Sequence, residues 1–402
     1  MQRTCTPLLT FALALSAAQA FAQPDGLDGA RIRFIAGDHA VQGAPVSLPC
    51  AADAPDGRIV LANPETGDRL PATLRDGELT FVINDAAPAT EQTLEVAVDP
   101  GAAPAIVQIR RRPDADVLDI RVHGEPFTSF HYGSDLKKPY LWPVLGEGGV
   151  HVTRDWPMGD KVESDDHPHQ KSLWTAYGDI NGVDWWAEGT GSGVQEVRDI
   201  RWGDGDAYGW VTLDLVWVDA DGAPVIDESR EYRFYASPAD ARLIDVRVTF
   251  RATYGEALFG DTKEGGLVAV RMHDALTEPN GGVITHADGA VGERDTWGKP
   301  SPWCDYAGAI GDAGIRGIAV FDHPDNLRHP TPWHVRGYGL MAANCFGLSY
   351  FTDGERRGDY RLPGDASIIF RYRVYVHSGD AQQARVADRF ADYAGAARAE
   401  WQ

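Results

Sequence analysis

Apolar and polar residues alternate along most of this chain with a period of two. In Leu243 to Arg251, the residues Ile244, Val246, Val248 and Phe250 alternate with Asp245, Arg247, Thr249 and Arg251, which describes a strand with one buried face. Phe370, Tyr372, Val374 and Val376 alternate with Arg371, Arg373 and Tyr375 in the same way, and Trp210 to Val218 and Glu231 to Tyr235 add further strands. Helical periodicity is nearly absent until the end. Beyond Ser378-Gly379-Asp380, which can cap, Val386, Phe390 and Tyr393 recur at helical spacing and predict a terminal helix. The expected fold class is all-β: one large antiparallel β-sandwich over residues 113–402, sealed by that helix.

Ahead of it the runs are shorter. Ile32 to Ile35, Ile59 to Leu61, Leu79 to Ile83, Leu94 to Val98 and Ala105 to Ile109 are separated by turn clusters such as Asn63-Pro64-Glu65-Thr66-Gly67-Asp68. Regular short strands between turn signals predict a small β-sandwich domain over residues 23–112, with Arg110-Arg111-Arg112-Pro113 as the boundary. It contains no cluster of chemical groups, which suggests a supporting or carbohydrate-binding role. Met1 to Ala22 carries one arginine, an apolar run from Leu8 to Leu15 and Ala20-Phe21-Ala22, the layout of a secretory signal peptide. No later stretch is long and apolar enough to span a bilayer, so an exported protein, periplasmic or extracellular, is expected.

Charge narrows the partners. The formal net charge is -22, and such a chain repels nucleic acid and anionic membrane surfaces. Cys50, Cys304 and Cys345 remain after the leader, too few and too odd in number for a disulfide framework. One bridge, Cys304 to Cys345, is permitted in an oxidising compartment.

The chemistry is concentrated in the stretch Asp166-His167-Pro168-His169-Gln170-Lys171-Ser172-Leu173-Trp174, running on to Asp179, Asn181, Asp184, Trp185 and Trp186. Pro168 keeps His167 and His169 out of a helix interior, and on extended chain both imidazoles would point into one cavity with the indoles as flat walls. A second group, Gly260-Asp261-Thr262-Lys263-Glu264-Gly265-Gly266, supplies carboxylates and an ammonium, the apparatus for moving protons, and leads into Arg271-Met272-His273-Asp274. Trp297 and Trp303-Cys304-Asp305-Tyr306 follow. The last cluster holds His323, Arg328, His329, Trp333, His334 and Arg336. Imidazole suits acid-base work or a metal, arginine suits a carboxylate or phosphate, and indole faces suit sugar rings.

In this order, the runs from His167 to Trp186, from Gly260 to Gly265, from Trp303 to Tyr306 and from Phe321 to Arg336 resemble the PmoA-like family of secreted bacterial proteins, over about residues 114 to 378. Gln170 and Lys171 stand where that family often has a histidine and an arginine. The resemblance implies a galactose-mutarotase-like β-supersandwich and a setting in polysaccharide or modified-sugar catabolism.

The leading expectation is an exported carbohydrate-active enzyme that cleaves a glycosidic bond by hydrolysis or elimination. His169 and Glu264 are the expected acid-base pair, with His167, Lys263 and Arg336 polarising the substrate and Asp261 and His334 completing the catalytic set. Trp174, Trp186 and Trp333 would form the floor, and Asn181, His273, Arg328 and His329 would bind substrate. A two-carboxylate mechanism would instead pair Asp261 or Glu264 with Asp179 or Asp184. No cofactor is called for; the alternative is a divalent metal on His167 and His169. A sugar-binding protein without turnover, and an oxygenase with a facial triad on the same histidines, are the other classes. His167, His169, Glu264, His273 and His334 are expected to line one cavity.

Overall fold

A computed structural model describes residues 26–402 apart from 56, 102 and 161–163; the expected leader at Met1 to Ala22 lies outside the described residues. The chain is all-β. Three antiparallel sheets carry it, one of seven strands and two of eight, with a two-stranded ribbon of Ala257–Phe259 and Tyr360–Leu362 beside them.

One eight-stranded sheet, here the long sheet, is built on Tyr208–Val218, Pro224–Tyr235, Ala241–Arg251 and Ser367–Ser378 as consecutive neighbours. The alternation of Ala241–Arg251 is realised as expected, with Ile244, Val246, Val248 and Phe250 fully buried. The second, here the site sheet, runs in the order Trp333–Arg336, Leu340–Ala343, Gly265–Arg271, Leu173–Tyr177, Tyr140–Val144, Glu125–His131, Val117–Val122, Val107–Arg111. A single core lies between the two, drawing Leu173, Val268 and Val270 from the site sheet and Val246, Phe250 and Phe370 from the long sheet. Two facing sheets each bury one side, and that is why period two dominates the sequence.

The expected division at residue 112 moves. Val107–Arg111 is the edge strand of the site sheet, and Val107 also bridges to Gly205, tying the two large sheets together. The N-terminal strands enclose a core of their own, as expected. Their seven-stranded sheet is curled, and its last member is the C-terminal strand Arg398–Trp401, paired with Arg31–Ile35. The curl brings the two ends of that sheet together, so that Trp401 Nε1 donates to the carbonyl of Pro49 at 2.7 Å. The helix Val386–Tyr393 forms as predicted but is not terminal, because the chain returns after it to the N-terminal sheet. Alternation over four residues is too short to distinguish such a strand from a tail.

The N-terminal sheet is fastened to the long sheet by charge. Arg58 pairs with Asp206 at 2.6 Å, Arg75 with Glu231 at 2.7 Å and Arg233 with Glu78 at 2.6 Å. All three described cysteines are buried free thiols, so the bridge allowed between Cys304 and Cys345 does not form.

Candidate active site

The site is built on the face of the site sheet that points away from the core. Its register sets one transverse row: His334 opposite Ala342, Ala342 opposite Ala269, Ala269 opposite Trp174, Trp174 opposite Tyr140, and Tyr140 opposite His131. Side chains alternate faces along each strand, so Leu173, Val268, Val270, Val335 and Met341 enter the core while this row stays outside. Two alanines in its middle leave a trough between His334 and Trp174. Trp186 fills it, its ring 5.4 Å from Trp174 and 6.5 Å from His334. Trp174 and Trp186 are 1% and 2% exposed, so they underlie the site instead of presenting open faces to a sugar. Their indole nitrogens, and Nδ1 of His334, are buried with no hydrogen-bond partner among the described residues.

Above this floor lies the His-Pro-His segment. It is not extended. The amide of Gln170 donates to the carbonyl of His167 at 2.9 Å and His167 has φ 47°, a tight turn in which the two imidazoles lie edge to face, 5.7 Å apart. The His167 ring stacks on Tyr338 at 5.0 Å, and that of His169 meets Trp186 at 6.2 Å. Beneath the turn sit two buried arginines. Arg154 donates to the carbonyls of Asp166 and His167, Arg271 donates to Gln170 Oε1 at 2.7 Å, and Asp166 binds both guanidiniums. A cavity of about 500 Å³ shares Asp166, Arg271 and Tyr338 with this scaffold.

The second half of the site is the loop before the strand Gly265–Arg271. Tyr177 holds it, donating its hydroxyl to the Gly260 carbonyl at 2.5 Å. The Tyr177 ring lies where a Cβ on Gly265 would stand, 2.3 Å from the nearest ring carbon, so only glycine can follow Glu264 there. Lys263 Nζ is ion-paired to Glu264, whose side chain is 42% exposed.

Electrostatics separate the roles of these groups. Burial pushes His169 down to about 4, with the Lys138 ammonium and His167 adding to the effect while Glu188 and Glu264 oppose it. Burial also takes His334 down to about 4 against the pull of Glu264. Burial alone would raise Glu264, but the hydrogen bond and the charge of Lys263 hold it below the usual carboxylate range. At neutral pH the site therefore offers two neutral imidazoles, an ionised carboxylate and an ammonium.

His167, His169, Lys263, Glu264 and His334 are thus brought together, with Arg336 at the edge, ion-paired to Glu293 at 2.7 Å. Several expected members are engaged in structural contacts. Trp333 is core, its indole donating to the Ser301 carbonyl at 2.8 Å, because it precedes His334 on a strand and must face the opposite side. His273 Nδ1 accepts from the amide of Ala275 and caps its own short turn. Asp261 accepts from the amides of Ser349 and Gly358, and Asn181 from the amide of Leu258. Arg328 is spent on the carbonyls of Cys345, Gly358 and Asp359, and His329 on Asp322 at 2.7 Å. The carboxylate partners for a two-carboxylate mechanism are also engaged: Asp179 accepts from the amide of Gly182, and Asp184 from those of Trp186 and Ala187. Among the described residues no three His, Cys, Asp or Glu side chains are grouped to hold a metal.

Sequence reasoning missed one part of the site. Lys138 is fully buried and shares Glu188 with Lys171, at 2.9 and 3.0 Å, while donating to the Trp186 carbonyl at 3.1 Å. Lys138 stands in a polar loop far from the other motifs in sequence, and nothing local marks it. Arg154 was equally unmarked, whereas Arg271, the charged end of the otherwise apolar strand Gly265–Arg271, stood in the second group without an assigned role.

Residues 117–391 match the model of a family of unknown function, DUF6807. The match covers most of the chain, both large sheets except the edge strand Val107–Arg111, and most of the helix, and the chain belongs to that family. No curated protein matches the sequence.

Proposed function

We propose that this chain is a carbohydrate-active enzyme, exported as its leader-like first residues suggest, that breaks a glycosidic bond by imidazole-mediated proton transfer. The observation that carries the reading is that neutral His169 and His334 flank the ionised Glu264, itself bound to the Lys263 ammonium. In the step we infer, His169 takes a proton from the sugar and returns it to the departing glycosidic oxygen. Glu264 stabilises the imidazolium in between, and Lys263 and Arg336 stabilise negative charge developing on the substrate. Elimination fits this set better than a two-carboxylate hydrolysis, which needs a protonated carboxyl; Glu264 is held ionised, and Asp179, Asp184 and Asp261 are occupied by backbone amides. The resemblance to PmoA-like proteins, with its galactose-mutarotase-like setting, agrees with a sugar substrate.

The test is a panel of plant and bacterial polysaccharides and 3-keto glycosides, assayed for unsaturated products and for new reducing ends, with Glu264→Gln as control. Unsaturated products formed by the wild type and lost in the variant are expected. Binding without turnover anywhere in the panel would replace this reading with that of a sugar-binding protein.

A further inference from the structure

A second cavity, of about 450 Å³, lies well away from the imidazole cluster, where the outer face of the long sheet meets the N-terminal sheet and the helix Val386–Tyr393. Its floor is set by strand register. Glu231 pairs with Arg247 and Arg247 with Arg371 in one transverse row; Arg233 pairs with Asp245 and Asp245 with Arg373 in the next. In the second row the carboxylate stands between two guanidiniums, and Asp245 receives Arg373 at 2.6 and 2.8 Å. In the first row two arginines stand directly opposite one another, a placement that repels.

The acids lining the cavity do not relieve this. Glu231 accepts from Arg75 and Arg233, Glu78 from Arg233, Asp245 from Arg373 and the Tyr235 hydroxyl, and Asp392 contacts His39 through Oδ1 at 2.8 Å while its Oδ2 is buried without a hydrogen-bond partner among the described residues. Arg247 and Arg371 on the floor, and Arg398 on the C-terminal strand, have no carboxylate partner among the described residues, although all three line the cavity. In a chain of formal net charge -22, three arginines without a carboxylate partner lining one concave seam run against the composition. A guanidinium presents a planar fork of donors that matches a tetrahedral oxyanion in two-point contact, and an anion between opposed arginines turns repulsion into attraction.

We propose that this seam binds a multivalent oxyanion of the phosphate or sulfate class, held between Arg247 and Arg371 and covered by Arg398. The group can arrive as the free ion or as an ester on a sugar, and the cavity is of a size that takes either. Because Arg398 and the wall residues Val46 and Ser47 belong to the N-terminal sheet, a bound anion would also fasten that sheet to the long sheet.

The experiment uses the full chain in an anion-poor buffer at matched ionic strength. Inorganic phosphate, inorganic sulfate and glucose 6-phosphate are titrated while thermal unfolding and heats of binding are followed. At least one of them is expected to bind and raise Tm. Arg371→Gln and Arg247→Gln are each expected to weaken that binding by roughly ten- to hundredfold, the loss of one charge-assisted contact. Without anion, Arg371→Gln should be as stable as the wild type or more so, because the repulsion is gone. Arg398→Gln, on an exposed strand end, repeats the binding test where a floor variant folds poorly. A response to the inorganic ions assigns a free-ion site, and a response to glucose 6-phosphate alone assigns an ester site. Either supports the proposal. Absence of binding in all three arms, or an unchanged response in the arginine variants, overturns it. Glu264→Gln should leave this binding intact, so failure here and failure of the imidazole site are separable.

Discussion

Asp166 Oδ1 accepts a hydrogen bond from Arg271 at 2.6 Å, and the same oxygen accepts from Arg154 at 2.7 Å. Both arginines are buried, and other terminal nitrogens of the two hold the carbonyls of His167 and Gln170 and the Gln170 side-chain amide in the His-Pro-His turn. Asp166→Asn should therefore cost about 2–3 kcal/mol. This is below the range for a fully buried pair, since Asp166 itself is partly exposed. Chemical denaturation of the variant checks this, and a loss under about 0.5 kcal/mol would show that the guanidiniums find other partners.

His169→Ala and Glu264→Gln should each lower turnover by roughly 10²–10⁴-fold, the usual worth of a positioned proton-transfer group. Substrate affinity should change little. Steady-state kinetics separate the two, and a loss seen only in KM would mean that these residues bind without reacting.

The pH dependence follows from His169, His286 and His334, each pushed down to about 4 by burial. Their ordinary value is near 6.5, so between these limits the unfolded chain binds more protons than the folded one. Their contribution to stability is complete above about pH 6.5 and is lost as pH falls towards 4. Turnover should hold lower into acid than stability does and then fall as His169 protonates near 4. A Tm that stays flat from pH 7 to pH 4.5 would contradict the burial of these rings.

Removing the N-terminal sheet should damage more than a linker. A chain beginning at Asp114 loses the edge strand Val107–Arg111 and leaves Arg398–Trp401 without its partner. A chain beginning at Ala105 keeps that edge strand and its bridge to Gly205. The first should unfold at a lower temperature than the second, and both below the full chain; equal midpoints would mean that the edge strand contributes nothing to the large sandwich.

The cysteines give a direct chemical check. Cys50, Cys304 and Cys345 are buried thiols, and burial pushes Cys304 and Cys345 up, away from the reactive thiolate. Mass spectrometry after alkylation should find them unmodified in the folded protein and modified in denaturant without prior reduction. A Cys304 to Cys345 bridge would instead block both in denaturant.

Much of the fold was legible because strand side chains alternate and a buried face must be apolar. Ala241–Arg251 and Ser367–Ser378 declared themselves in this way, and Val386, Phe390 and Tyr393 declared the helix. The same rule, applied to Trp333-His334-Val335-Arg336, separates the core tryptophan from the site histidine, since neighbours on a strand cannot share a face. The clusters around His167 and Glu264 were visible as composition. What composition does not carry is the direction in which a polar group spends its hydrogen bonds. Asp261, Asn181, Arg328 and His329 are the same residue types as site residues, yet they satisfy loop backbone or a neighbouring carboxylate.

The sequence by itself determined the all-β class and the residues with chemistry to offer, because periodicity and side-chain type are local properties. Only the tertiary structure decided which of them meet. Pairing register aligned His334 with Ala342, Ala269 and Trp174 in one row and set Arg247 against Arg371. Register arises from strands distant in the chain choosing one another, and a one-residue slip would send each of these side chains to the opposite face. That choice minimises exposed apolar surface over the whole molecule, so no single stretch of sequence contains it.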